Sequence, residues 1–323
     1  MNQTKVPTTH WQRRVGQQRD WVWRGWRIRY TYLRSPRSNQ SNSPPIILLH
    51  GFGASIGHWR QNLEQLSQNH TVYAIDLLGF GGSQKALTTY NVSLWVDLVD
   101  DFWQTFIRQP AILVGNSVGS LVSLVAAAER PNLARGLVMI SLPDPGVQLE
   151  AMPPWLVPIV ERVQGVVASP PVLQPLFYLI RRPALVRRWA KLAYHNSNAI
   201  TDELVEILSL PARDRHAAPA FARLFNAMGS PRLGPAVKTV LPNITIPILL
   251  IWGKQDRLIP IQLANPRKYL QYNPNIKLVE LDEAGHCPHD ECPEKVNQEI
   301  LNWIETSEIG VRSQESGDRR QEF

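Results

Sequence analysis

Residues 115–119 (GNSVG) are the segment of the sequence that most clearly indicates chemistry. A serine with a glycine two positions away on either side follows the strand-like run AILV and precedes the helical run SLVSLVAAAER. A strand that turns sharply into a helix needs small residues at the turn, and such a turn presents the serine hydroxyl at the carboxyl edge of a sheet. The sequence therefore predicts Ser117 as a nucleophile.

A serine hydroxyl reacts well only beside a base, and that base must be oriented by a third group. His286 follows the last strand-like run, and Asp256 closely follows the run before it. The three side chains would then emerge at one edge of a parallel sheet, so we predict His286 as the base and Asp256 as the acid. Asp144, just after an earlier strand-like run, is an alternative for the acid.

A third motif, HGFG at residues 50–53, follows the strand-like run IILL. Attack on a carbonyl builds negative charge on its oxygen, and two preset backbone N–H groups are worth about 3 kcal/mol each to that transition state. We predict that Phe52 and Val118 donate these two N–H groups.

The elements that must position these residues follow an alternating pattern of strands and helices. Short apolar runs bounded by turn residues alternate with longer helical patterns, which is typical of a parallel sheet covered on both faces. Ahead of them, residues 26–32 alternate apolar and cationic side chains, as in a half-exposed edge strand. The six runs predicted as parallel strands are residues 46–49, 72–75, 111–114, 136–140, 248–251 and 277–281.

Organisation along the chain follows from the same pattern. Residues 46–142 and 241–305 form the predicted core, preceded by a head of residues 1–45 that is rich in Trp and Arg. Residues 143–240 contain no convincing strand and many prolines, so we predict several short helices that form a lid over the sheet. The polar tail, residues 306–323, has little to bury and is predicted to be disordered.

Composition excludes several classes of protein. The 323 residues are 44% hydrophobic, carry a net charge of +7 and include only 2 cysteines. A disulfide framework, a zinc ribbon or an iron–sulfur centre is therefore excluded, and we expect no cofactor or metal. No cleavable signal is visible, so we expect that the protein is not secreted. The basic residues concentrate in the head and the insert, which favours contact with a membrane surface over nucleic acid.

The motifs HGFGAS, DLLGFGGS, GNSVGS, WGKQDRLIP and GHCPHDE occur in this order. Together they resemble the α/β-hydrolase superfamily over residues 46–305. The resemblance implies an α/β fold with a mostly parallel central sheet, and its chain order of nucleophile, acid and base agrees with Ser117, Asp256 and His286. Relatives with an aspartate nucleophile, the haloalkane dehalogenases and epoxide hydrolases, are disfavoured because a serine stands at that position.

Within the superfamily, GNSVGS and GHCPHDE resemble the pheophytinase and chlorophyll dephytylase group of plants and cyanobacteria. That resemblance implies hydrolysis of the phytyl ester of a chlorophyll-type pigment. It also implies a cytoplasmic protein, or one at the thylakoid membrane of a cyanobacterium or plastid. A lipid esterase or thioesterase, a C–C bond hydrolase and a ligand receptor without turnover are the alternatives.

The aromatic residues near these motifs have two interpretations. They could line a pocket for a long hydrophobic ester, with the insert and the head in peripheral contact with a membrane. They could equally pack the insert onto the sheet. The candidates for substrate contact are Trp59, Trp155, Phe177, Tyr178 and Trp189.

Overall fold

The computed structural model describes residues 10–36, 43–150, 170–230 and 232–307. Within them, eight strands form one sheet in the order β1-β2-β4-β3-β5-β6-β7-β8. The first two strands run antiparallel, and β3 to β8 are mutually parallel. The strands are β1 (Arg19–Trp23), β2 (Trp26–Leu33), β3 (Ile46–Leu49), β4 (Val72–Ile75), β5 (Ala111–Asn116), β6 (Ala134–Ile140), β7 (Ile248–Gly253) and β8 (Ile276–Leu281).

Helices connect the strands and cover the sheet. Those of the head and core are α1 (His10–Arg14), α2 (Leu63–Leu66), α3 (Val92–Phe106), α4 (Val118–Glu129), α11 (Ile261–Ala264), α12 (Tyr269–Tyr272), α13 (Pro288–Glu291) and α14 (Pro293–Thr306). Those between β6 and β7 are α5 (Pro145–Glu150), α6 (Pro170–Ile180), α7 (Pro183–Ala193), α8 (Asp202–Ser209), α9 (Ala217–Gly229) and α10 (Val237–Val240). Short 3₁₀ turns span Ile56–Trp59, Ser197–Ala199, Leu210–Arg213, Leu241–Asn243 and Pro266–Lys268.

Apolar clusters bury both faces of the sheet. Successive residues of a strand point to opposite faces, so each strand contributes side chains to both clusters. Leu49 and Leu113 belong to the apolar cluster beneath α3 and α4. Their neighbours Leu48 and Val114 belong to the cluster on the other side, with α1, α2 and α14. The parallel strands are therefore apolar along nearly their whole length, which is why the sequence predicts them well.

The predicted edge strand is not at the edge. Residues 26–32 lie within β2, which is flanked by β1 on one side and β4 on the other. The sequence did not reveal β1 because its outward face carries Asp20 and a 70% exposed Val22. This half-exposed strand lacks the continuous apolar run of the inner strands.

The tryptophans of the head pack against the core. Trp11 and Trp23 are buried, and the indole Nε1 of Trp23 donates a hydrogen bond of 2.7 Å to Asp101. Trp21 makes edge-to-face contacts with two phenylalanines of α3. These three aromatic rings of the described head therefore pack against the body of the protein.

The described part of the insert, residues 143–240, consists of short helices joined by loops. These helices lie between β6 and β7 in the chain, and prolines begin helices α5, α6 and α7. None of the helices in the described ranges is long and apolar enough to cross a membrane. The predicted disordered tail falls outside the described residues from position 308 onward.

Candidate active site

Ser117 occupies the turn between β5 and α4 in a backbone conformation that non-glycine residues rarely adopt. Its φ is 54° and its ψ is −123°, a strain that usually costs about 1–3 kcal/mol and is typical of functional positions. The glycines around it allow close packing. A Cβ atom on Gly119 would collide with the carbonyl oxygen of Leu49, and one on Gly115 would collide with the backbone of Gly119. Both glycines are therefore required by the turn that displays Ser117.

The turn at residues 50–53 passes directly beside the serine. A Cβ atom built on Gly51 would lie 3.2 Å from the Cβ of Ser117 and 2.9 Å from the amide oxygen of Asn116. Phe52 is the next residue of this turn. Val118 is the first residue of α4, where backbone N–H groups have no partner within the helix. One predicted donor thus belongs to the turn beside Ser117, and the other to the residue that follows Ser117.

His50 has a structural position beneath this turn. Its Nε2 accepts a hydrogen bond of 3.1 Å from the backbone N–H of Leu77, so its proton is on Nδ1, which donates 2.8 Å to the carbonyl of Gly51. Burial lowers the pKa of His50 and keeps the ring neutral. The neutral imidazole therefore fixes the carbonyl that precedes the Phe52 N–H.

His286 and Asp256 meet through a short hydrogen bond. The distance from His286 Nδ1 to Asp256 Oδ2 is 2.8 Å. The other carboxylate oxygen accepts backbone N–H bonds from Leu258 at 2.9 Å and Ile259 at 2.8 Å. Because an ionised carboxylate only accepts, Nδ1 of His286 carries the proton and Nε2 is left with a free lone pair. This is the orientation that a general base requires.

Asp144, the alternative acid, has a different set of partners. Its Oδ1 accepts the backbone N–H of Gly146 at 2.9 Å and that of Val237 at 3.0 Å. It thereby joins the first turn of α5 to the start of α10. The structure pairs Asp256, and not Asp144, with His286.

The loop of His286 is bonded to the residue beside the serine. The side-chain amide of Asn116 donates 3.1 Å to the carbonyl of His286, and the backbone N–H of His286 donates 2.6 Å to the carbonyl of Ala193 in the insert. Both His286 and Asp256 are buried. Sheet topology therefore brings the serine turn and the histidine loop together at the carboxyl edge of the sheet.

An apolar cavity of about 440 Å³ opens beside this edge. Phe52 of the serine-flanking turn and Leu258 of the Asp256 loop form part of its wall, and Phe177 and Trp189 of the insert form another part. Lys85 and Arg181 are the charged side chains of the described lining. A cavity of this size and character suits a hydrophobic small molecule.

Of the five aromatic residues predicted to contact substrate, Phe177 and Trp189 line the cavity. The other three do not line it or lie outside the described residues. Trp59 is completely buried and packs at a tilt against His289 with ring centroids 4.4 Å apart, so it belongs to the core and does not line the cavity. Tyr178 is 53% exposed, outside the cavity lining, with the Arg181 guanidinium over its ring. Trp155 lies outside the described residues.

Glu291 is a site residue that sequence reasoning missed. One of its oxygens accepts the backbone N–H of Gly285 at 2.8 Å, and the other accepts those of His195 at 2.7 Å and Asn196 at 3.0 Å. Burial raises the pKa of this carboxyl. A single side chain thus ties the loop of His286 to the insert.

We expect Glu291→Ala to lower kcat about tenfold to a hundredfold with little change in KM, because a displacement near 1 Å of the base costs about that much. The variant also leaves three backbone N–H groups without their acceptor. Steady-state kinetics on a soluble ester would measure the effect, with the exposed Glu294→Ala as the matched control. Partial rescue by Glu291→Gln is expected, since the amide keeps one acceptor oxygen. A change in KM alone would contradict a positioning role.

A buried polar cluster beneath this loop was also missed. The Tyr194 hydroxyl donates 2.7 Å to Asp290, and a guanidinium nitrogen of Arg60 lies 2.7 Å from the same carboxylate. His58 Nε2 lies 2.6 Å from the Tyr194 hydroxyl and therefore donates to it. Glu203 of α8 pairs with Arg60 at 3.0 Å. The cluster joins the insert to the core through side chains far apart in sequence.

The pKa of His58 gives a prediction for acid stability. Burial lowers this pKa from 6.5 to about 4. Between those values the unfolded chain binds the proton and the folded chain does not, so the free energy of unfolding falls as pH falls from 6.5 toward 4. We expect His58→Gln to reduce that slope by up to about 1.4 kcal/mol per pH unit. Urea unfolding across this pH range would measure both slopes, and identical slopes would contradict the prediction.

Comparisons with known proteins agree with this geometry. The family model described as the alpha/beta hydrolase family matches residues 46–299. Chloroplastic pheophytinase of Arabidopsis thaliana is 27% identical over 310 residues, covering 83% of this chain and 63% of the relative. The chain thus spans less than two thirds of that protein.

Two further proteins are similar over most of their length. The 2-hydroxymuconate semialdehyde hydrolase of Pseudomonas sp. (strain CF600) is 30% identical over 258 residues, covering 76% of this chain and 80% of the relative. A solved serine hydrolase involved in carbazole degradation has a TM-score of 0.70 at 20% identity, covering 90% of this chain and 99% of that one. The fold predicted from the sequence is therefore confirmed, and the chain belongs to the alpha/beta hydrolase family.

Proposed function

We propose that this protein is a serine esterase that cleaves a carboxylic ester of a hydrophobic substrate. The observation that carries the proposal is the hydrogen bond between His286 and Asp256, next to a serine in a strained turn. The paired carboxylate fixes the imidazole tautomer, and the turn keeps the serine hydroxyl at the sheet edge. The strained backbone conformation of Ser117 costs free energy and does not stabilise the fold. Such strain is typical of residues with a functional role, which favours an enzyme over a protein without turnover.

The proposed reaction passes through an acyl-enzyme. His286 Nε2 accepts the proton of Ser117, and the serine oxygen attacks the ester carbonyl. Backbone N–H groups of Phe52 and Val118 stabilise the negative charge that develops on the carbonyl oxygen. The alcohol leaves with the proton from His286, and a water molecule, deprotonated by the same imidazole, then releases the acid.

We propose a chlorophyll-type pigment with a phytyl ester as the substrate. The wall of the cavity is mostly aliphatic and aromatic, which suits a long isoprenoid alcohol. The similarity to pheophytinase supports the same choice. A lipid ester or thioester is the closest alternative, since an acyl chain would be accommodated by the same apolar wall.

The substrate can be identified by direct assay of the purified protein. Chlorophyll a, pheophytin a, a long-chain lipid ester and short p-nitrophenyl esters would be compared by release of the alcohol. Phytol release from either pigment, faster than hydrolysis of the short esters, is the expected result. Hydrolysis of the short esters alone would contradict the pigment as substrate, and preference for the lipid ester would favour the alternative.

A C–C bond hydrolase is the second candidate. The observation that favours it is the similarity to a 2-hydroxymuconate semialdehyde hydrolase. Such a substrate is small and anionic, and Arg181 in the cavity wall is a cation that could bind a carboxylate. Consumption of 2-hydroxymuconate semialdehyde, followed by its absorbance, would support this candidate over the esterase.

A further inference from the structure

The outward face of helices α6 and α7 exposes an unusual amount of apolar surface. Trp189 is 58% exposed and Val172 is 49% exposed. Val172, Leu176 and Leu179 recur at helical spacing, so they lie along one side of α6. We call this the outer surface of the insert, and its exposed large side chains are Val172, Leu176, Tyr178, Leu179, Trp189 and Leu192. Large apolar side chains exposed together on two consecutive helices are typical of an interaction site.

The outer surface continues into the cavity. Trp189 and Leu192 are exposed and also line the cavity wall. On the other elements of the wall, Phe225 is 46% exposed and Leu258 is 50% exposed. An apolar molecule could therefore pass from the outer surface to the interior along a path lined by apolar side chains.

The charge of this region is one-sided. Residues 170–201 contain five Lys and Arg and no Asp or Glu. Arg182, Arg188 and Lys191 are exposed beside the apolar side chains. Arg187 pairs with Asp202, an acid just beyond this segment. The outer surface is therefore both apolar and cationic.

A bilayer with anionic headgroups matches both properties. Apolar side chains enter the acyl boundary, while Lys and Arg extend to the phosphates of the headgroups. A second copy of the chain is a poor match, because a twofold contact would bring two like-charged surfaces together. Charge complementarity thus favours lipid over self-association.

We propose that the outer surface of the insert docks on a membrane that contains anionic phospholipids. In this orientation the mouth of the cavity faces the lipid, and a hydrophobic ester enters without crossing water. The docking itself does not depend on the esterase activity. Only the entry of the ester rests on the proposed function.

Vesicle cosedimentation of the full chain tests the docking. We expect binding to vesicles of phosphatidylcholine with phosphatidylglycerol and much weaker binding to phosphatidylcholine alone, with the difference reduced by salt. Removing two charges in Arg182→Gln/Arg188→Gln should weaken binding to the anionic vesicles about thirtyfold. Leu176→Ser/Leu179→Ser should weaken binding to them as well.

The matched control is Val22→Ser/Arg108→Gln, which removes one exposed apolar residue and one exposed cation outside the insert. It should bind vesicles like the unchanged protein. Circular dichroism and hydrolysis of a short soluble ester would show that the arginine variant is folded, and neither arginine lines the cavity. An esterase-negative protein that still binds vesicles would contradict the proposed function while leaving the docking intact.

Two results would overturn the docking. One is equal binding of the unchanged protein and both insert variants to anionic vesicles. The other is a change of oligomeric state in the variants, measured by light scattering, without a change in vesicle binding, because the surface would then join two copies of the chain.

Discussion

Replacing Ser117 by alanine should abolish ester hydrolysis, with a fall in kcat on the order of a millionfold. The serine oxygen forms the bond to the acyl group, and no other hydroxyl can take its place in this mechanism. Kinetics with a p-nitrophenyl ester would measure the loss. The free energy of unfolding should change little, since the side chain is small and alanine has the same backbone restrictions at this φ.

The matched control for this variant is Ser123→Ala. Ser123 lies in the same helix and its hydroxyl donates 2.9 Å to the carbonyl of Gly119, one turn earlier. Its removal leaves the serine turn unchanged, so activity should stay near that of the unchanged protein. Substantial hydrolysis by Ser117→Ala, above that of a buffer blank, would refute the assigned nucleophile.

Asp256→Asn should lower kcat by about ten-thousandfold through the tautomer of His286. The amide oxygen would keep the backbone N–H bonds from Leu258 and Ile259, which places the NH₂ group toward the imidazole. His286 Nδ1 must then accept a hydrogen bond, so Nε2 carries the proton and can no longer receive one from Ser117. The same p-nitrophenyl ester assay would measure kcat.

Asp144→Asn is the matched control for the acid. Its single amide oxygen can still accept the backbone N–H groups of Gly146 and Val237. We expect its activity within a few fold of the unchanged protein. If Asp144→Asn lost more activity than Asp256→Asn, Asp256 could not be the residue that orients His286.

Most of the parallel strands could be predicted because burial on both faces makes their sequences mainly apolar. The predicted runs at residues 46–49 and 72–75 coincide with β3 and β4. β1 could not be predicted in the same way, because it has only five residues and one side in solvent, so it lacks a continuous apolar run. β2 was predicted at the edge of the sheet because β1, the strand that pairs with its outer side, was not predicted.

The residues of the candidate reaction centre could be predicted because each follows a strand of one parallel sheet. Parallel strands end at the same edge, so their following loops meet there without further information. The supporting residues had no such rule. Tyr194 meets Asp290 across 96 positions of sequence, and Glu291 binds backbone groups of the insert. Contacts of this kind depend on how the insert packs onto the core, which cannot be predicted from any local sequence pattern.

Aromatic residues were the least predictable part of the site. Trp59 and Trp189 have the same side chain, yet one is in the core and the other is exposed at the rim of the cavity. Indole suits both positions because it has a large apolar area and one polar N–H group. The role of such a residue depends on which face of its helix or turn carries it. A short 3₁₀ turn such as Ile56–Trp59 has no clear hydrophobic periodicity from which the buried face could be predicted.

Labelling with a fluorophosphonate probe measures whether Ser117 is an activated nucleophile, because the probe reacts with a serine only when a neighbouring base activates it. Mass spectrometry of the labelled protein would locate the adduct. We expect one adduct, on Ser117, that is lost in His286→Ala and strongly slowed in Asp256→Asn. An unlabelled protein, as expected of a ligand receptor, or an adduct on another residue would contradict this expectation.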